Sequence, residues 1–199
     1  MVRLAYEDGT IRVTDATAID AALPGVERDE RSKTLRAPAH RYADLRAALD
    51  ERGVGYEDRV FDLPALELSS TYQLREYQNE ALSDWEAADR RGVLELPTGS
   101  GKTVIGIAAM ERLGTPTLVV VPTIDLLSQW REELETEFDA PVGQLGGGTQ
   151  RVENLTVSTY DSAYLRADEL GDRFGLVVFD EVHHLGGEGY RDIARLLAA

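Results

Sequence analysis

The chain has 199 residues, 43 % of them hydrophobic, so it can bury the core of one generous domain or two modest ones. It has no cysteine, which excludes disulfides and cysteine-ligated zinc or iron–sulfur sites and fits a cytoplasmic protein. No apolar run is long enough to span a bilayer, and Arg3, Glu7 and Asp8 make the start of the chain unlike a signal peptide. We therefore expect no membrane partner.

The charge is unusual, because 36 acidic residues face 21 basic ones, the net charge is −15, and Lys33 and Lys102 are the only lysines. Proteins that bind nucleic acid usually carry a basic surface, so one interpretation is an acidic protein that avoids nucleic acid. The other is adaptation to high salt, where acidic, lysine-poor surfaces are common. At about 1 M salt the Debye length is about 3 Å, so a negative surface no longer repels DNA at a distance. We favour the second interpretation because of the motifs described below.

Residues 1–66 predict a small α+β domain. Two short runs of alternating apolar residues at 2–6 and 10–14, separated by an acidic-Gly turn, predict a β-hairpin. An amphipathic pattern predicts a helix over 41–52, and an extended run at 54–61 predicts a further strand.

Residues 67–199 change to an alternation of helices and apolar strands. Helices are predicted at 74–89, 102–113 and 124–138, with a short one from Asp161. Strands are predicted at 92–96, 117–121, 154–159 and 175–180, with a loop or irregular strand at 143–148. Short, continuously apolar strands between helices are typical of a parallel sheet covered on both faces, so the predicted fold class is α/β.

A phosphate-binding pattern occupies residues 96–103, which read Leu-Pro-Thr-Gly-Ser-Gly-Lys-Thr between an apolar strand and an apolar helix. Its glycines let the backbone point several N–H groups at one anion, and the helix start adds its positive dipole end. The ammonium of Lys102 can reach the β- and γ-phosphates, and the hydroxyl of Thr103 can bind Mg²⁺. The predicted nucleotide-binding residues are Pro97, Thr98, Gly99, Ser100, Gly101, Lys102 and Thr103, with ATP and Mg²⁺ as cofactors. A chance Gly-rich turn is the alternative, and the strand–loop–helix context argues against it.

Two carboxylates, Asp180 and Glu181, directly follow an apolar run and so lie at the carboxyl end of a strand, where α/β sheets bind ligands. Asp180 can hold Mg²⁺ together with Thr103, and Glu181 can orient and deprotonate an attacking water. With Lys102 they are the predicted catalytic residues, while two solvated carboxylates are the alternative. The histidines that follow lack the H-E-x-x-H spacing of a zinc site. We interpret His183 as a link between the nucleotide site and DNA-contacting parts.

These motifs resemble those of superfamily 2 helicases, and within them the archaeal branch of the XPB repair helicases. Leu96 stands where the general phosphate-loop pattern has its first glycine, and residues 180–184 read Asp-Glu-Val-His-His, the XPB-type spelling. The resemblance implies a RecA-like P-loop parallel sheet with flanking helices. It also implies an ATP-dependent DNA helicase or translocase acting in nucleotide excision repair or transcription.

The segment 74–78, Leu-Arg-Glu-Tyr-Gln, resembles the family's adenine-recognition segment. The resemblance implies that the amide of Gln78 reads adenine and that Arg75 and Tyr77 support or stack on the base. An ordinary amphipathic helix start is the alternative.

Two further segments resemble DNA-contacting motifs of the family. In the segment 119–130, Pro122 and Thr123 are expected at a strand end facing DNA phosphates, whereas Trp130 can be simple core. In the segment 157–164, Thr159 and Tyr160 are the expected backbone contacts to DNA.

Residues 1–66 resemble the small module, similar to the mismatch-recognition domain of MutS, that precedes the motor in archaeal XPB proteins. A locally basic cluster is the candidate DNA surface: Arg28, Arg31, Lys33, Arg36, His40 and Arg41. Equally, these charges can pair with Glu27, Asp29 and Glu30 on a solvated loop.

The sequence runs into a predicted helix at 191–199, and the resemblance implies that motif III and a second RecA-like domain follow in the family. We therefore expect the present sheet to be incomplete at its C-terminal end, and these residues alone to bind nucleotide poorly and hydrolyse it slowly. The expected partner is DNA, double-stranded or forked, with a nuclease as a further candidate, and the expected location is the nucleoid. The alternatives are a damaged-DNA-binding or nuclease-recruiting module without unwinding, or another superfamily 2 motor.

Overall fold

The computed structural model describes residues 1–15, 23–30, 32, 34–97, 99–186 and 190–198, with the backbone alone at 185 and 186. Contacts between Cα atoms group the chain into two compact units. Unit 1 consists of Met1–Leu63, Tyr160–Gly175 and His184–Ala199, and unit 2 of Pro64–Thr159 and Leu176–His183. The predicted domain boundary between residues 66 and 67 stays a prediction. In the described part of the chain, no helix is both long and apolar enough to cross a membrane.

Unit 1 is built on a five-stranded sheet with the order β3-β4-β2-β1-β5. Its strands are β1 (Val2–Glu7), β2 (Thr10–Thr14), β3 (Glu27–Arg28), β4 (Leu35–Pro38) and β5 (Tyr56–Arg59). The predicted hairpin is confirmed, because β1 and β2 pair antiparallel around Asp8 and Gly9, whose φ angles of 47° and 75° suit a tight hairpin turn. β5 runs parallel to β1, and the connection between the hairpin and β5 contains helix α1 (Tyr42–Glu51).

The core of unit 1 lies between this sheet and α1. The fully buried side chains include Leu4, Ile11, Leu45 and Leu49. Three short helices belong to the same unit, namely α5 (Tyr160–Leu165), α6 (Ala167–Leu170) and α7 (Tyr190–Leu196).

Unit 2 contains the second sheet, with the order β10-β6-β9-β7-β8. Its strands are β6 (Thr117–Val121), β7 (Val142–Gly146), β8 (Thr149–Arg151), β9 (Leu155–Thr159) and β10 (Leu176–Phe179). The pairs β10–β6, β6–β9 and β9–β7 are parallel, and β8 adds antiparallel to β7. The flanking helices are α2 (Glu76–Ala87), α3 (Lys102–Leu113) and α4 (Ile124–Glu137). The predicted α/β class, with a parallel sheet, flanking helices and a small separate sheet, is confirmed.

The predicted strand at 92–96 is wrong in this structure. Residues 91–97 form no helix or strand, and the side chain of Val93 is 71 % exposed. An apolar run becomes a strand only if its N–H and C=O groups pair with a neighbouring strand, and 92–96 make no described pairing with β10. The apolar composition of the segment favours a strand, but it carries no information about whether a neighbouring strand pairs with it.

The predicted irregular segment at 143–148 is instead strand β7 and the start of a tight hairpin to β8. Gly146, Gly147 and Gly148 all have positive φ, which glycine adopts without steric cost. The turn therefore lies at the same edge of the sheet as the carboxyl ends of β6 and β9.

Candidate nucleotide-binding site

The phosphate loop leads directly into α3, whose first residue is Lys102. Gly99 and Gly101 have φ angles of 78° and 79°, in the left-handed region that glycine adopts freely. The first N–H groups of a helix have no partner within it, and the positive end of the helix dipole lies there. This arrangement of donors is suited to an anion such as phosphate. Thr98, predicted to bind nucleotide, lies outside the described residues.

Two side chains of the loop are placed to engage phosphate. The ammonium of Lys102 donates to the carbonyl oxygen of Leu96 at 3.0 Å. A phosphate oxygen is a stronger acceptor than this neutral carbonyl, so the ammonium can exchange one for the other. The hydroxyl of Ser100 is buried and has no hydrogen-bond partner among the described residues. Since buried polar groups are normally paired, the Ser100 hydroxyl fits a site meant for a polar ligand.

The start of α2 braces the phosphate loop. Gln78, only 4 % exposed, donates through Nε2 to the carbonyl of Ser100 at 3.0 Å, and its Oε1 accepts from the backbone N–H of Arg75 at 2.9 Å. The hydroxyl of Tyr77 also donates to the Ser100 carbonyl, at 2.6 Å. Adenine recognition by Gln78 and Arg75 stays a prediction. What the structure adds is a direct connection between the predicted base-reading segment and the phosphate loop.

The acidic pair follows β10 at the carboxyl edge of the sheet, as predicted. The backbone N–H of Asp180 donates to the carbonyl of Val120 at 2.9 Å, which ties the residue to the neighbouring strand β6. Its Oδ1 accepts from the N–H of Glu181 at 2.9 Å, and its Oδ2 accepts from the indole N–H of Trp130 at 2.8 Å. Glu181 has a φ of 51°, which is uncommon for a residue with a side chain and marks a sharply turned backbone.

One cavity of about 490 Å³ in unit 2 brings the two motifs together. Its lining includes Leu96, Lys102, Trp130, Asp180, Glu181 and His183. The predicted catalytic trio therefore borders one space at the carboxyl ends of the strands, where ligands of parallel α/β proteins bind. The Nδ1 atom of His183 lies 3.4 Å from Oε2 of Glu181, so the predicted coupling residue is next to the predicted base.

The site fits a magnesium ion held partly by a nucleotide. No group of three or more His, Cys, Asp or Glu side chains with metal-binding geometry occurs among the described residues. Mg²⁺ needs only one or two carboxylates when phosphate oxygens and waters complete its octahedron. Asp180 offers such a carboxylate on the cavity wall, and Thr103 lies in the first turn of α3.

The residues predicted to contact DNA lie along the same edge of the sheet. Pro122 and Thr123 follow β6, and Thr159 ends β9 opposite Val121. The Oγ1 atom of Thr123 accepts from the N–H of Leu126 at 3.2 Å and so caps α4, which leaves the hydroxyl hydrogen available to a phosphate.

The side chains of Thr159 and Tyr160 are buried, with 8 % and 2 % exposed. Burial therefore restricts direct contact between these two side chains and DNA. Their DNA-binding role stays a prediction.

Sequence reasoning missed two features of this edge. Trp130, interpreted as simple core, is 3 % exposed and contacts the carboxylate of Asp180. The Gly146–Gly148 turn lies against both predicted DNA motifs, since a Cβ on Gly146 would approach Thr159 to 3.0 Å and one on Gly147 would approach Ile124 to 3.4 Å. The three glycines can be recognised in the sequence, but the residues that they contact in the fold cannot.

Two residues of the basic cluster of unit 1, Arg36 and Arg41, form ion pairs. Arg36 pairs with Glu7 and, at 3.2 Å, with Asp29, and Arg41 pairs with Asp44 at 2.8 Å. Arg31 and Lys33 lie outside the described residues. For Arg36 and Arg41 the structure favours the alternative interpretation, in which the charges pair with acidic neighbours.

Comparison with known protein families gives two matches. Residues 71–199 match the model described as type III restriction enzyme, res subunit. Residues 4–60 match the model described as the xeroderma pigmentosum group B helicase damage recognition domain.

Similar proteins carry related names. The chain is 42 % identical over 200 residues to the DNA 3'-5' translocase XPB2 of Sulfurisphaera tokodaii, covering 100 % of this chain and 44 % of that protein. It is 37 % identical over 210 residues to a protein of Halobacterium salinarum named for Rad25, covering 96 % of this chain and 34 % of that protein. The chain thus spans less than half the length of these relatives.

Among solved structures, the UvsW helicase from bacteriophage T4 matches with a TM-score of 0.55 and 16 % identity. The match covers 99 % of this chain and 88 % of that one. At this identity the likeness concerns the fold alone, and it supports the RecA-like parallel sheet with flanking helices.

Proposed function

The chain belongs to the family of the type III restriction enzyme, res subunit, and from that membership we propose that it is the ATP-binding part of an XPB-type DNA helicase or translocase. The relative from Sulfurisphaera tokodaii, named a DNA 3'-5' translocase, supports this proposal. So does the damage-recognition match at residues 4–60. We place the activity in nucleotide excision repair or transcription.

The observation that carries the proposal is the cavity shared by Lys102, Asp180 and Glu181. In our proposal Lys102 and the backbone of Gly99 and Gly101 hold the nucleotide phosphates. The hydroxyl of Thr103 and the carboxylate of Asp180 hold Mg²⁺, which when bound neutralises phosphate charge.

The remaining roles concern the attacking water and the adenine base of the nucleotide. Glu181 orients the attacking water and accepts its proton, and its neighbour His183 relays the state of the nucleotide site to DNA. Gln78 and Arg75 lie beside the loop and take the adenine, while Pro97, Thr98 and Ser100 complete the phosphate cradle.

DNA is the proposed partner, contacted at Pro122, Thr123, Thr159 and Tyr160. We propose a division at residues 66 and 67 into a damage-recognition-like domain and a first RecA-like domain. Relatives in Sulfurisphaera tokodaii and Halobacterium salinarum support an archaeal, salt-adapted source, with the protein in the cytoplasm at the nucleoid. A nuclease partner stays a prediction from the resemblance.

The test is ATP hydrolysis by the full-length protein with and without DNA. We expect DNA to stimulate hydrolysis more than RNA does, and Glu181→Gln to abolish hydrolysis while sparing nucleotide binding. Stimulation by RNA alone would indicate another superfamily 2 motor instead.

A second candidate is a damaged-DNA-binding module that does not unwind, favoured by the match of residues 4–60 to a damage recognition domain. The two candidates differ on a duplex with a 3' tail. The motor separates its strands when ATP is hydrolysed, whereas the binding module only retains distorted DNA.

A further inference from the structure

Trp130 joins the phosphate-loop helix to the acidic strand end. The residue lies in the middle of α4 and is 3 % exposed. Its indole N–H donates to Oδ2 of Asp180 at 2.8 Å. An indole nitrogen can only donate, so this buried group needs an acceptor, and the acceptor is the carboxylate proposed to hold Mg²⁺.

The other end of the indole packs on α3. A Cβ placed on Gly106 would lie 3.0 Å from Cη2 of Trp130, so the ring occupies the space that the missing side chain leaves. Gly106 lies one helical turn after Lys102, on the helix that begins at the phosphate loop. The position of the indole is therefore set by the helix that carries the phosphate-binding lysine.

The carboxylate of Asp180 is held by both its oxygens. Oδ1 accepts from the backbone of Glu181, and Oδ2 accepts from Trp130. Each carboxylate oxygen has two lone pairs, so an oxygen that accepts one hydrogen bond can also bind a metal ion. The two hydrogen bonds hold the carboxylate in a single orientation on the cavity wall.

We propose that Trp130 is a positioning residue for magnesium: through its N–H···Oδ2 hydrogen bond it fixes the Asp180 carboxylate in the orientation that receives Mg²⁺–nucleotide. This inference rests on the proposed nucleotide-binding function. Groups that orient a metal-binding side chain typically change metal affinity by about 10- to 100-fold when they are removed.

The test separates magnesium binding from nucleotide binding. In Trp130→Phe the ring remains but the donor is lost. We expect the Mg²⁺ concentration for half-maximal binding of a fluorescent ADP to rise about tenfold or more, with Mg²⁺-free ADP affinity within about twofold of wild type. Tyr42→Phe is the matched control, because it also removes an aromatic donor to a carboxylate, that of Asp58 at 2.6 Å, and Tyr42 does not line the cavity. It should leave both values unchanged.

Three outcomes overturn the inference. If Trp130→Phe needs the same Mg²⁺ concentration as the wild type, the inference is wrong and the proposed function is unaffected. An equal loss of Mg²⁺-free and Mg²⁺-dependent affinity shows that Trp130 acts only on the general structure. Absence of any Mg²⁺-dependent nucleotide binding by the full-length wild-type protein overturns both the inference and the proposed function.

A second measurement does not require Trp130→Phe to fold. The chain has two tryptophans, so Trp85→Phe leaves Trp130 as the sole indole. We expect its fluorescence to change when Mg²⁺ is added to the ADP-bound protein, and this change to disappear when Asp180→Ala is added. Trp130 fluorescence that does not change when Mg²⁺ is added contradicts the inference.

Discussion

At the scale of single residues, two glycines of the phosphate loop have the same backbone angle but different surroundings. Gly99 and Gly101 have φ of 78° and 79°. A Cβ on Gly99 meets nothing within 4 Å, whereas one on Gly101 would lie 2.6 Å from Nε2 of Gln78. That amide is buried and hydrogen-bonded to Ser100 and Arg75, so it cannot move away freely. Comparing substitutions at Gly99 and Gly101 therefore separates the cost of backbone strain from the cost of a clash with Gln78.

We expect Gly99→Ala to lower the free energy of unfolding by about 1 kcal/mol through strain in the left-handed region. Gly101→Ala should cost about 1–3 kcal/mol more, because it also displaces Gln78 from the loop. Urea denaturation of the two variants measures the difference. Equal costs in the two variants would show that Gln78 does not brace the loop.

At the scale of elements, unit 1 has a half-buried hydroxyl between β1, α6 and α7. The hydroxyl of Tyr6 lies 2.9 Å from the carbonyl oxygen of Asp168 and 3.0 Å from that of Leu196, and it can donate to either. Burial raises the pKa of Tyr6 to about 12. An unfolded tyrosine loses its proton near pH 10, so between about pH 10 and 12 only the unfolded state gains from deprotonation. The stability from this group is complete below pH 10 and falls as the pH rises to 12.

Tyr6→Phe tests this assignment. At pH 8 the variant should lose about 1–3 kcal/mol, because the hydrogen bond from the Tyr6 hydroxyl to a backbone carbonyl is lost. Between pH 8 and pH 11 the wild type should lose about 1 kcal/mol more than the variant does. The other tyrosines are present in both proteins, so their contribution to the loss of stability cancels when the two proteins are compared. Equal losses between the two pH values in urea denaturation would rule out Tyr6 as the titrating group.

The elements also show what sequence can predict. The hairpin at residues 2–14, helix α3 and strand β10 were predictable because each is encoded by a local pattern of turns and apolar spacing. The segment 92–96 was not, because pairing depends on a partner that composition does not specify. Lys102 and Asp180 were predicted as one site from their motifs. The role of Trp130 was hidden, since a tryptophan within a helical pattern is equally consistent with plain core.

At the scale of the whole molecule, the net charge of −15 determines how stability should respond to salt. Like charges repel in the compact state, and about 1 M salt shortens the Debye length to about 3 Å. We expect the melting temperature to rise between low salt and molar KCl at neutral pH. The gain should shrink near the isoelectric point of about 4.6, where the net charge vanishes. A melting temperature that is independent of KCl at neutral pH would contradict salt adaptation.

We propose that Lys102 and Asp180 form one wall of a nucleotide site, and calorimetric titration of the full-length protein with Mg²⁺ and a non-hydrolysable ATP analogue measures this binding. We expect saturable binding by the full-length wild-type protein and retention of that binding in Glu181→Gln. Lys102→Ala should weaken binding by about tenfold or more, because it removes a charge-assisted hydrogen bond to phosphate. Binding to Lys102→Ala with wild-type affinity would contradict the account.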